Sequence, residues 1–263
     1  MDSHTLDGCK AKVDWAEEQL GVLAREWNDW LKTQPYPSEV KAGGDAGWHC
    51  VHFDFSTSTP PRFAVIAGGI AHDLRSALDH IAWREAVECV GHKKADRNAS
   101  AIAFPLAKNS ADFRRSQTLK YVGKDARAFM ERQQPYHGGH SNGPEALGLL
   151  HWFNRIDKHR SLHVTLVTPN AFQRPHTLID WDHAARMIDR TWEIPIGATV
   201  EGKTKVACFR FAADGPDPHV RVKSTPNFTV GFGKVPDQFR GISIQNVMEQ
   251  VRKVLADCAD LIP

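Results

Sequence analysis

The apolar pattern of this chain changes period once, near residue 160, and that change limits the folds open to it. Before it, apolar residues recur every three or four positions, the spacing that lines them along one face of a helix. Between residues 7 and 32, Val13, Ala16, Leu20, Leu23, Trp27 and Trp30 form such a seam. Pro35 and Pro37 end it, because proline lacks an amide proton and disfavours helix in the residue before it. A second helix, near 62–90, opens after Pro60-Pro61 and stops near Gly91. Its middle holds Gly68-Gly69, a costly pair in a helix unless another backbone comes close. A third helix, near 144–160, begins with Pro144 at its first position and carries Leu147, Leu149, Leu150, Phe153 and Ile156 on one side.

Beyond residue 160 the segments LHVTLVT, TWEIPIGATV, KVACFRFAA, HVRVKST and NFTVGFG are rich in strand formers and joined by short turns, the pattern of an antiparallel meander. One earlier segment, WHCVHFDFS at 48–56, alternates bulky groups and also suits a strand. The stretches 41–47 and GHKKADRNAS read as loops, and AIAFPLA as extended chain followed by short helices up to Gln134-Pro135. A last amphipathic helix over 242–261 carries Ile244, Val247, Val251, Val254 and Leu255. The expected fold is therefore α+β: a mainly helical half (1–160), an antiparallel sheet of about four to six strands (161–239) and a C-terminal helix (240–263). With no repeat and no low-complexity linker, one domain over 1–263 is favoured.

Composition excludes several classes. Net charge is only +2, so no strong field draws the chain to nucleic acid, and no DNA-specific signal is present. No apolar run approaches the ~20 residues of a membrane span, and MDSHTLDGCKAK has no apolar signal-peptide core. The five cysteines, Cys9, Cys50, Cys89, Cys208 and Cys258, are widely spaced with no C-x-x-C, which leads us to expect reduced thiols in a cytoplasmic protein. Phosphate-binding glycine loops and the G-x-S-x-G elbow are missing, so no cofactor is indicated.

Two helices carry polar groups where chemistry could reside. On the second, Ile70, Leu74, Ala77, Leu78 and Ile81 form the apolar face, with His72, Arg75 and Asp79 clustered just beyond one edge. His80 lies on the other side, roughly 140° from Arg75. The stretch Arg75-Ser-Ala-Leu-Asp-His80 has the form R-x4-H on a helix and resembles the signature of the HEPN superfamily, mostly helical proteins that include metal-independent ribonucleases. The resemblance covers this one helix and implies an RNA substrate and a homodimer whose two subunits line the cleft. It implies that Arg75 holds a phosphate and His80 moves a proton, with Asp79 beside them. A fixed planar cation and a group that exchanges protons near neutrality suit that reaction.

On the third helix, Asn154, Asp157 and Arg160 fall inside the apolar arc, with His159 next to them. A charge buried without a partner costs several kcal/mol, so these groups need partners. We expect this helix to face the second one, pairing Asp157 with Arg75 or Asp79 with Arg160. Such a cluster serves equally as a structural brace in a noncatalytic binding or assembly protein. A third reading is a metal-dependent enzyme, since His151, His159 and His163 follow at spacings of eight and four; no acidic third ligand accompanies them, and no metal site is assigned.

Overall fold

The structure is a computed structural model that describes residues 4–43, 47–137, 145–157, 164–167, 187–192, 199–200, 202–212, 229–232, 235–236, 239 and 242–259. It is an α+β protein, as the change of period implies. The chain forms two compact units: Met1–Leu23, Pro61–Leu162 and Val235–Pro263 make a helical unit, and Ala24–Pro60 with His163–Lys234 make a β-rich one. Among the described residues, no helix is long and apolar enough to cross a membrane.

The first helix, α1 (His4–Lys32), buries Cys9, Val13, Ala16, Leu23, Trp27 and Leu31, close to the seam read from spacing. It ends as the prolines require: Thr33 and Gln34 donate to the carbonyls of Trp30 and Leu31, and Gln34 takes the left-handed conformation (φ 53°) that closes a helix. In the helical unit α2 (Pro61–Val90) is the central rod. Leu74, Leu78 and Ile81 on α2 are fully buried, and α2 packs against both α6 (Glu145–Asp157) and α7 (Ile244–Ala259). Leu147, Leu149, Leu150 and Phe153 of α6 and Val247, Val251 and Val254 of α7 complete this core. Burying each such side chain stabilises by about 1.5–3 kcal/mol. The N-terminus of α7 is closed reciprocally: the Ser243 amide donates to Asn246 Oδ1 at 2.8 Å, and the Asn246 amide donates to Ser243 Oγ at 3.2 Å.

Between α2 and α6 lie α3 (His92–Arg97), α4 (Ser110–Arg114) and α5 (Lys124–Arg132). The stretch expected to be a basic loop is therefore partly helical. Gly91 (φ 78°) ends α2, and its carbonyl accepts from Lys94 and Ala95 to start α3. At Gly69 an added β-carbon would meet nothing within 4 Å, so the close backbone approach expected there is not what keeps this glycine.

In the β-rich unit, β1 (Ser38–Ala42), β2 (Trp48–Phe55), β4 (Met187–Trp192) and β6 (Gly202–Phe211) form one antiparallel sheet in the order β1-β2-β6-β4. A second sheet has the order β5-β3-β7, from β3 (Val164–Val167), β5 (Thr199–Val200) and β7 (Thr229–Phe232). This corrects the meander: β6 pairs with β2, from the first part of the chain, instead of with a sequence neighbour. HVRVKST lies outside the described residues. The pairing sets Cys50 directly opposite Cys208, and the two form a disulfide with Cα atoms 4.1 Å apart. Reduced thiols were expected at all five positions, and these two correct that. The partners are 158 residues apart in sequence, so only the strand register reveals them. Cys9, Cys89 and Cys258 form no disulfide.

Candidate functional site

Arg75 and Asp79 lie one turn apart on α2 and pair with each other. Arg75 Nη2 donates to Asp79 Oδ1 at 2.8 Å and Nε donates to Oδ2 at 3.2 Å. Both groups also reach the same distant residue. The Phe104 amide donates to Asp79 Oδ1 at 2.8 Å, and the Phe104 carbonyl accepts from Arg75 Nη2 at 2.7 Å. The ion pair thus clamps one peptide residue from both sides.

Phe104 belongs to the extended stretch 102–107, which pairs with no strand among the described residues. Buried peptide groups must find partners, and here side chains provide them one residue at a time. Thr118 Oγ1 accepts from the Ala103 amide at 3.1 Å and donates to the Ala103 carbonyl at 2.6 Å. Buried Gln134 donates to the Pro105 carbonyl and accepts from the Ala107 amide, each at 2.8 Å. Arg75 and Asp79 do the same for Phe104, whose ring packs edge-on to Phe129 with centroids 6.5 Å apart.

His80 looks elsewhere. It is half-buried, and an added β-carbon at Gly8 of α1 would stand 3.8 Å from its Nδ1. Burial, then the nearby Lys12 cation, lower its pKa, with Asp79 opposing weakly. His80 has no part in the Arg75–Asp79–Phe104 group, in line with the wheel. His72 is exposed, and its neighbour Asp73 pairs with Lys12 at 3.5 Å. Asn154 is half-buried on α6. The expected pairings of Asp157 and Arg160 with α2 fall outside the described residues, as do the side chain of Asp157 and the whole of His159, Arg160 and His163. What is described gives Arg75 and Asp79 to each other and to Phe104. Among the described residues, no group of three or more His, Cys, Asp or Glu stands close enough to hold a metal ion.

The same extended stretch leads to a feature the sequence reading missed. Its end, Leu106–Lys108, forms one wall of a cleft of about 500 Å³ with Pro135 and Tyr136. α6 lines the same cleft through Glu145, Gly148, Trp152 and Arg155, a stripe at spacings of three, four and three that runs along one helical face, with His151 beside it. Pro236 and Phe239 complete the lining. Gly148 fits closely among its neighbours: a β-carbon there would lie 3.0 Å from Phe239 Cε1 and 3.3 Å from Pro135 Cβ, so these side chains would have to give by a few tenths of an ångström. The Tyr136 phenol is pushed up in pKa by burial first and then by Glu131, which it faces at 3.4 Å. The legible signal was this second stripe of α6, in which a glycine, a tryptophan and opposite charges share a face beside the apolar arc.

A second buried cluster also escaped the sequence reading. Arg84 of α2, only 8% exposed, donates to Glu85 at 2.5 Å and to the Cys258 sulfur at 3.6 Å. Cys9 and Cys258 are fully buried, and burial pushes each thiol up to about 11 despite Arg84. Thiols held this far toward the neutral form are poor nucleophiles and poor metal ligands. Comparison with known proteins adds nothing to the geometry: the chain matches no protein-family model, no curated protein and no solved structure.

Proposed function

We propose that this chain is a noncatalytic binding protein whose ligand sits in the cleft lined by α6 and Leu106–Lys108, with Arg75 and Asp79 as the brace for the extended stretch that leads to Leu106–Lys108. One observation carries this reading: the guanidinium that a ribonuclease would need for phosphate is already engaged by Asp79 and the Phe104 carbonyl, behind an Arg75 side chain only 11% exposed. The cleft, in contrast, has the size and the lining of small-molecule sites, with apolar and aromatic walls and a few polar groups.

The test is a fragment screen by saturation-transfer NMR on wild-type protein and on Trp152→Ala, each shown folded by circular dichroism. Aromatic fragments should bind the wild type and lose most of their signal in Trp152→Ala. Fragments that bind both equally, or bind neither, overturn the cleft reading. The HEPN resemblance is tested in parallel by incubating RNA with wild type and His80→Ala in the presence of a chelator. Neither should cleave. Cleavage by wild type that His80→Ala abolishes would overturn the noncatalytic assignment.

A further inference from the structure

The cleft has an uneven distribution of charge, and that asymmetry speaks to what it accepts. Lys108 comes from the end of the extended stretch and Arg155 from α6; both line the cleft and both are exposed. Among the described residues neither has a carboxylate partner, unlike Arg75 with Asp79, Arg84 with Glu85, and Arg252 with Glu17. Glu145 brings one carboxylate to the same lining and, like His151, engages other groups. Among the described lining residues two cations thus stand against one carboxylate, an excess of positive charge. An organic anion entering there gains charge-assisted hydrogen bonds, and the flat fork of Arg155 matches a carboxylate in two-point contact.

The interior asks for something different. Trp152, Tyr136 and Phe239 present ring surface, and Pro135 and Leu106 add aliphatic wall. The walls are fixed before any ligand arrives: Gln134 locks the Pro105 and Ala107 backbone, and Gly148 lets Phe239 approach α6 closely. A preformed slot of this kind favours a rigid, planar apolar body, which loses little freedom on entry.

Resting on the binding reading above, we infer that the ligand class of this cleft is an aromatic carboxylate, its ring between Trp152 and Tyr136 and its anionic end at Lys108 and Arg155. The charge preference belongs to the two cations and the ring preference to the aromatic lining, so the two are separable by experiment. The probes are 2-naphthylacetate and its uncharged counterpart 2-naphthylacetamide, titrated into the full chain by calorimetry at low and at moderate salt. The acid should bind at least tenfold more tightly than the amide at low salt, with the gap narrowing as salt rises. In Lys108→Ala/Arg155→Gln, which changes only exposed side chains, the acid should fall to the affinity of the amide while the amide is unaffected. Equal binding of acid and amide by wild type, with both lost in Trp152→Ala, overturns the carboxylate inference and leaves the cleft reading standing. Absence of binding by both probes overturns the two together. Retention of the tenfold preference in the double variant also overturns the inference, since the charge would then be read elsewhere.

Discussion

The second half of α2, from Arg75 onward, holds a largely buried arginine toward each of its two ends, each with a part-exposed carboxylate one turn further on, and the two arginines do different work. Arg75 with Asp79 grips the Phe104 peptide, satisfying a donor and an acceptor that no strand among the described residues provides for. Arg84 with Glu88, at 3.6 Å, holds no peptide among the described residues; its surroundings are Glu85 and two buried thiols, and its Nε and Nη1 have no hydrogen-bond partner there, against Nη1 alone for Arg75. In sequence both are i,i+4 ion pairs on a helix. What separates them is whether the pair meets a chain that needs it. A buried ion pair contributes most when it also removes the desolvation cost of other polar groups, and little when it only compensates itself.

That contrast sets the order of expected effects. Asp79→Ala should be the most damaging change, because it leaves the Phe104 amide and the Arg75 guanidinium without their acceptor together. We expect a loss of about 2 kcal/mol in urea unfolding, the scale for leaving buried donors unmet when a part-exposed, charged acceptor is removed. Arg84→Met should cost about 1 kcal/mol or less, since an apolar side chain of similar length replaces a guanidinium with two unsatisfied nitrogens. If Arg84→Met proves as costly as Asp79→Ala, the distinction between the two ends fails.

How much of this the sequence disclosed follows the range of each interaction. The three long helices and the C-terminal helix were legible from periodicity because their burial is decided within a turn or two. The Arg75 and Asp79 cluster at the edge of the apolar face was legible for the same reason, with Asp157 and Arg160 as the partners expected for it. Its object was not: Phe104 lies 25 residues beyond Asp79, and nothing local marks an extended segment that will be held by side chains. Likewise β1 (Ser38–Ala42) is almost wholly exposed, so it lacks the buried alternation that announces a strand. The cleft was missed because its liners come from four separate stretches of chain, and only the α6 stripe has a period of its own.

The thiols at the Arg84 end sharpen the comparison through pH. Cys9 and Cys258 have ordinary values near 9.0 and are held up to about 11 in the folded chain. Folded protein therefore keeps those protons where unfolded protein releases them. The stabilisation is complete below about pH 9 and is lost as pH climbs from there through 11, at roughly 1.4 kcal/mol per pH unit for each thiol. Guanidinium midpoints should drop between pH 9 and pH 11 in wild type. A Cys9→Ala/Cys258→Ala variant should show a flatter curve, and a curve as steep as wild type would mean that these thiols do not titrate apart from the unfolded chain.

The smallest effect belongs to His80, which lies between the two ends and faces α1. Its pKa is lowered, chiefly by burial and then by Lys12, so the folded chain favours neutral imidazole. Stability from this source is present above the unfolded value near 6.5 and declines as pH falls through the lower folded value. Lys12→Gln removes the cationic contribution and leaves the burial, so the His80 titration followed by NMR should move upward but remain below that of an exposed histidine. The same substitution frees Asp73, whose partner at 3.5 Å is Lys12, and an exchange of one surface pair should change stability by less than about 1 kcal/mol. An unmoved His80 titration would mean that burial alone sets its protonation. A shift all the way to the exposed value would mean that burial contributes nothing, and that the α1 side of α2 is open to water in a way the Arg75 side is not.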